Sequence, residues 1–166
     1  MLIEKLKARF GDEILSAQDA RDELTITIER ERAYDFFKAL RDEADFEFNV
    51  LTDMTAVDWL ERKPRFDLVY QLNSLTQGHR LRVKIGVDGP EPWMNSVVGV
   101  WGAADWLERE CFDMFGVNFK GHPDLRRILM YDSFEGHPLR KDYHYNKRQP
   151  IVAEIDPVVN PIGSSR

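Results

Sequence analysis

The chain has 166 residues, 43% hydrophobic and 31% charged, enough for one domain with a real core in the soluble globular class. Its net charge of −6 and pI near 5.3 exclude nucleic acid as the main partner, because phosphate binding needs a dominant basic surface. The single cysteine, Cys111, excludes an intrachain disulfide, points to a reducing compartment, and excludes an iron–sulfur cluster held by this chain alone, which takes about four thiolate or mixed Cys/His ligands.

The chain opens with Leu2, Ile3, Leu6 and Phe10 at helical spacing, and Gly11 supplies a stop. Charges at Glu4, Lys5, Lys7 and Arg9 break up any apolar core of a signal peptide. Leu24, Ile26 and Ile28 alternate with Thr25 and Thr27 as a half-buried strand, with 13–17 as a shorter hairpin partner. Ala33, Phe36, Phe37, Leu40 and Ala44 return to helical spacing. Residues 46–59, rich in β-branched and aromatic side chains, read as a strand running into a bend at Asp58 and Trp59.

Alternation at Phe66, Leu68, Tyr70 and Leu72, then at Leu81, Val83, Ile85 and Val87 across Gln77-Gly78, predicts the clearest hairpin. The order helix, two strands, helix, three strands predicts an α+β fold: two layers, a mixed β-sheet covered by helices. The side bearing Arg80, Arg82 and Lys84 would face solvent or a partner. Pro90 and Pro92 punctuate a link to a short helix expected around 93–100. The longest nearly uncharged apolar run, 97–104, falls far short of the ~18–20 residues that span a bilayer.

Chemistry concentrates in 108–143. Ala104, Leu107, Cys111 and Met114 or Phe115 share one face of a helix over 104–115, and Gly116 is placed to end it. Arg109 stands four residues from both Asp105 and Asp113, so it is expected to bridge them, leaving Glu108 and Glu110 to pair with downstream arginines. Two copies of one word follow: Gly121-His122-Pro123 with Leu125-Arg126-Arg127, and Gly136-His137-Pro138 with Leu139-Arg140-Lys141. Each proline holds its histidine on extended backbone, with a permissive glycine ahead. Residues 121–148 carry six Lys/Arg against four Asp/Glu in a chain that is otherwise acidic, so charge is segregated.

Glu108, Glu110, Asp113 and His122 could be drawn as a metal site, but the histidine lies beyond the helix stop, away from one-face ligand spacing. His122 and His137 could transfer protons, yet no nucleophile motif or phosphate-binding glycine loop accompanies them. Backbone capping or partner contact is the simpler reading. Arg126, Arg127, Arg140 and Lys141, beside Leu125, Ile128, Leu129 and Leu139, read as a docking rim. Trp93, Trp101 and Trp106 are expected in the core, one as a potential interface anchor.

The run Glu108-Arg109-Glu110, Asp113, Met114-Phe115, His122, Arg126-Arg127-Ile128 and Pro138-Leu139-Arg140-Lys141-Asp142-Tyr143 resembles the signature of the C-subunit family of bacterial NADH:quinone oxidoreductase, respiratory complex I. One departure is His144, where that family usually has proline. The resemblance implies a cofactor-free structural subunit of a proton-translocating complex, with no catalytic, cofactor-binding or metal residue of its own. FMN, iron–sulfur clusters, NADH and quinone would belong to the parent complex. The implied partners are the large quinone-module subunit (D-type) and the cluster-bearing subunits. The implied location is peripheral, on the cytoplasmic side of the bacterial inner membrane, reached only through the complex. Gly116, Gly121, Pro123, Gly136 and His137 join the signature as structural or interface positions. An equivalent subunit of a membrane-bound hydrogenase is the alternative; a free-standing His-dependent enzyme is a distant third.

The expected organisation is one domain over 1–145, containing the 104–143 signature, and an extended arm over 146–166. Pro150, Pro157 and Pro161 interrupt helices there, while Ile151, Val152, Ile155, Val158, Val159 and Ile162 are too apolar for a solvated tail. The arm is therefore expected to lie on another subunit. Limited proteolysis of the isolated chain should trim it first; full protection without a partner would count against that reading.

Overall fold

In the computed structural model, which describes residues 1–149 apart from Asp22, period-two alternation builds the sheet. β4 (Phe66–Ser74) and β5 (His79–Val87) form the antiparallel hairpin, paired from Phe66↔Val87 to Ser74↔His79, with Gly78 at φ 65 in the turn. β3 (Val50–Asp58) runs antiparallel on the other side of β4. β1 (Ile14–Ala20) and β2 (Glu23–Ile28) make a second hairpin, and β2 joins β5 in parallel. The order is β1-β2-β5-β4-β3, a mixed sheet whose parallel contact is bridged by a long crossover.

Three helices cover one face. α1 (Leu2–Phe10) buries Leu6 and Phe10; α2 (Ala33–Asp42) buries Ala33, Phe36, Phe37 and Leu40. Phe10 meets Phe36 at 4.6 Å between ring centroids, and Phe37 meets Tyr70 of β4 at 4.6 Å. α3 (Ala104–Phe115) lies over β3 and adds Ala104, Cys111, Met114 and Phe115 to the same core. The two-layer α+β expectation holds.

Two local expectations fail, each for a backbone reason. Residues 93–95 form no helix: β6 (Trp93–Asn95) pairs in parallel with β7 (Asn118–Lys120), a distant partner whose ladder holds the segment extended. Only residues 97–101 coil, with the Val100 and Trp101 amides both donating to Val97 O. The strand predicted from residue 46 begins at Val50. Phe46 and Phe48 are buried, but Glu47 at φ 47 breaks the extended run, and the Phe48 amide donates to Leu40 O at the end of α2. Trp101 is buried as expected, whereas Trp106 is 61% exposed. The arm beyond Gln149 lies outside the described residues.

On the outer face, Arg80 is exposed and Arg82 and Lys84 are half-exposed. The loop between β3 and β4 folds over one end of that face, where Pro64 rests on Gly86: a Cβ there would stand 2.3 Å from Pro64 Cγ. Gly86→Ala should therefore destabilise the chain by about 1–3 kcal/mol in urea unfolding. The cost should shrink in a Pro64→Ala background, and equal costs in both backgrounds would refute the contact as its cause.

Candidate functional site: a strap fastened to helix α3

The last carbonyls of a helix have no intrahelical donors, so burial of that end requires partners from elsewhere. Gly116 takes the left-handed conformation (φ 72) and its amide closes on Phe112 O at 2.9 Å. The next carbonyls are met by the second Gly-His-Pro word. His137 Nδ1 donates to Asp113 O (2.9 Å), the Leu139 amide to Met114 O (3.1 Å), Arg140 Nε to Phe115 O, and Arg140 Nη2 to Gly116 O (3.5 Å). The guanidinium thus sits at the negative end of the helix dipole. Gly116 is required twice over, because a Cβ would approach His137 and Arg140 atoms to 2.6 and 2.7 Å.

Asp113, on the same last turn, binds the first copy's arginine. Its Oδ1 receives Arg127 Nη1 at 2.6 Å, and its Oδ2 receives the amides of Ile128, Leu129 and Met130 at 3.1, 2.8 and 2.8 Å. Burial would raise its pKa, but the Met130 and Leu129 amides and Arg127 hold it below the usual carboxylate range. Arg127 Nη2 also donates to Gly136 O, and Arg109 donates to Arg126 O and Arg127 O. The expected intrahelical bridge is therefore corrected: Arg109 holds the strap by its carbonyls, and Asp113 belongs to Arg127.

The strap is tied to the sheet as well. Asp58, at the end of β3, takes both Arg65 Nε and Nη2 (2.8 and 2.7 Å) and the Lys141 amide (2.9 Å), while Arg65 Nη1 reaches Asp142 at 2.9 Å. Hydrogen bonding to Arg65 drives the Asp58 carboxyl well below its usual range and lowers Asp142 too. Tyr143 stacks on Phe134 at 6.0 Å, its ring beside Gly136.

The first copy serves the other end of α3. His122 is fully buried; its Nε2 donates to Asp105 O (3.1 Å), and its Nδ1 accepts the Asp124 amide (3.0 Å). Glu108, also fully buried, does not pair with an arginine as the sequence suggested. Its Oε1 accepts the Val97 amide at 2.7 Å, and the nearby Ser96 side chain favours its charged form. Burial, aided by the charge of Asp105, pushes its pKa up to about 7 against the Val97 and Ser96 donors.

Arg126 points outward, 71% exposed, paired with Asp124 at 2.9 Å; Glu110, Gly121, Pro123 and Lys141 are also exposed, and Pro138 is half-buried. The structure thus gathers His122 with Glu108, and His137 with Asp113, Gly116, Arg127 and Arg140. It does not bring Glu110 or Arg126 into either group. Sequence reasoning paired Asp105 with Arg109 rather than His122, and missed Arg65 and the role of Asp58; an acid closing a strand pattern at Asp58, with a cation seven positions on, was the available signal.

The fold and these contacts define an α+β protein with a basic strap fastened to its own helix. Among the described residues, no group of three or more His, Cys, Asp or Glu is arranged to hold a metal ion. Residues 26–149 match the family described as respiratory-chain NADH dehydrogenase, 30 Kd subunit. The chain belongs to that family. It is 47% identical over 141 residues to the NADH-quinone oxidoreductase C subunit of Citrifermentans bemidjiense, covering 85% of this chain and 86% of the relative. It is 49% identical over 135 residues to the Rhodobacter capsulatus protein of that name, covering 81% and 67%. Among solved structures, the trypsin-resistant fragment (1-134) of Nqo5 matches with TM-score 0.63 and 33% identity over 75% of this chain and 98% of that one. A chain of the membrane-bound sulfane sulfur reductase, an archaeal respiratory membrane complex, matches with TM-score 0.76 over 87% and 85%; at 23% identity this likeness speaks to the fold alone.

Asp113→Ala leaves Arg127 Nη1 and three amides without their acceptor, and should cost about 3–5 kcal/mol in chemical unfolding. Asp58, Asp113 and Asp142 have lowered folded-state pKa values, so their stabilisation is present above the unfolded value of 3.8 and is lost as pH falls below it. Acid unfolding of Asp113→Ala should show a shallower dependence below pH ~4 than the parent chain; identical slopes would show that Asp113 carries none of it.

Proposed function

We propose that this chain is a structural subunit of a proton-translocating NADH:quinone oxidoreductase and carries none of its electrons. Family membership across 26–149 is the observation that carries the reading, supported by relatives that bear the name of the NADH-quinone oxidoreductase C subunit. The strap chemistry supports it, because the buried polar groups there hold one polypeptide segment on another. FMN, the iron–sulfur clusters, NADH and quinone are then the business of neighbouring subunits. No described helix is long and apolar enough to cross a membrane, so attachment on the cytoplasmic side would run through the complex.

Docking against the large quinone-module subunit and the cluster-bearing subunits would fall to the outward-facing residues. Trp106, Leu129 and Leu139 are 61%, 57% and 53% exposed on α3 and the strap, with Arg109 lying 5.0 Å from the Trp106 ring centroid. An exposed aromatic steadied by a cation is the kind of anchor that dominates protein interfaces. Glu108, Arg109, Asp113, His122, Arg127, His137, Arg140 and Asp142 would act one step back, by holding the strap in docking shape. Glu110, Arg126 and Lys141 would meet the partner directly.

Two substitutions separate these roles. Arg140→Ala should lower the melting temperature of the isolated chain and reduce its co-purification with the cluster-bearing subunits. Trp106→Ala should leave the melting temperature within a degree or two yet reduce co-purification as well. In both, NADH:quinone turnover per assembled complex should be unchanged. Turnover of NADH or quinone by the purified chain without partners would sink the proposal.

A further inference from the structure

Glu108 is a carboxyl group in the core, and among the described residues no Lys or Arg forms an ion pair with it. Its Oε1 is bound by the Val97 amide and the nearby Ser96 side chain favours its charged form, but its Oε2 is buried without any hydrogen-bond partner. The groups facing it come from each element packed around it. Asp105, one turn earlier on α3, presents an oxygen that is also buried and unpartnered. Tyr70 of β4 presents a buried, unpartnered hydroxyl, held in its neutral form by burial first and by Glu108 second, with the Cys111 thiol of α3 alongside. From the 120–125 turn comes His122, whose Nε2 stands 4.0 Å from Glu108 Oε2 and 3.4 Å from Asp105 Oδ1.

His122 is the one group there able to supply a positive charge, and its own contacts oppose that. Nδ1 accepts the Asp124 amide, so its lone pair is occupied and the ring proton sits on Nε2. A second ring proton would face that amide hydrogen. An ionised Glu108 would then be a buried charge without a cation, beside another carboxylate, which is costly enough that such groups neutralise instead.

We propose that Glu108 is a buried proton site: it takes up a proton as the chain folds, and loss of that proton above neutral pH loosens the His122 turn from α3. The unfolded carboxyl titrates near 4.5 and the folded one above it, so by linkage the stabilisation is complete below about pH 4.5 and is lost as pH rises through the folded value near 7. His137 shifts the opposite way, its folded pKa lowered by burial and by Arg140 and Arg127, so its contribution falls as pH drops through 6.5. A comparison of variants cancels that contribution.

The test is the pH dependence of unfolding for the full chain and for Glu108→Gln, which keeps shape and hydrogen-bonding capacity without an ionisable proton. The parent should lose stability relative to Glu108→Gln between pH 5 and 8, with faster amide exchange at Val97 and Asp124 at the alkaline end. Parallel curves would overturn the proposal. If Glu108→Gln does not fold, carbon-13 NMR of the Glu108 carboxyl in the parent decides: titration above pH 6 supports the site. Titration near 4.5, or nitrogen-15 shifts showing a doubly protonated His122 beside an ionised Glu108, refutes it.

Discussion

The end of α3 is the point on which the strap depends. Four successive carbonyls, from Asp113 to Gly116, would be stranded by burial at the junction of helix and strap. They are matched by one histidine, one amide and one guanidinium, all from residues 137–140. A single segment can do this because residues 137–140 form a turn, closed by the Arg140 amide on His137 O at 3.2 Å, that presents the imidazole, the Leu139 amide and the guanidinium to the helix end together. Gly116 makes room, since its bare Cα lies where any side chain would strike His137 and Arg140. Asp113 adds the second tether, binding the 127–130 turn from the same helical turn. The helix end and the strap therefore order each other.

Much of this is legible in the residues. Apolar alternation places β2, β4 and β5, helical spacing places all three helices, and Gly116 reads as the stop. The 108–143 run stands out as the chemical centre, and its resemblance to the C-subunit family matches the family found by comparison. Pairing is not legible. Arg109 can reach Asp105 or Asp113 by spacing alone, and only the path of residues 126–127 across its face decides that it serves their carbonyls instead. The rim reading of the basic segment divides for the same reason: Arg127 and Arg140 turn inward while Arg126 turns out, a distinction that neighbouring identical letters cannot carry. The helix expected from residue 93 fails because the strand at 93–95 exists only through the distant partner at 118–120.

The repeated Gly-His-Pro word shows how one local geometry yields two electrostatic uses. Both histidines donate to a carbonyl of α3, at Asp105 and at Asp113, eight positions apart on the same helix. They do so with opposite ring nitrogens. His122 uses Nε2 because its Nδ1 is taken by the Asp124 amide, a contact within its own turn. His137 presents Nδ1 to the helix instead, leaving Nε2 beside Gly116. The duplicated sequence thus makes two staples, one near each end of the helix, whose tautomers are set by the backbone path beyond each proline.

Those staples sit beside carboxyl groups that the fold treats in opposite ways. Asp113 receives three amides and an arginine, a donor set that outweighs its burial and keeps the charge. Glu108, five residues earlier, receives one amide with only the Ser96 side chain to help it, faces a second carboxylate, and meets a histidine whose accepting nitrogen is already used. The number of donors and the presence of a fixed cation, rather than burial as such, decide which group ionises. Moving Arg127 from one end of the helix to the other would invert the assignment. It follows that the strap contact is an ionic bond that acid weakens, while the His122 contact is a neutral one that alkali weakens. Both contacts on helix α3 are therefore at full strength together in the interval between them, from mildly acid to neutral pH.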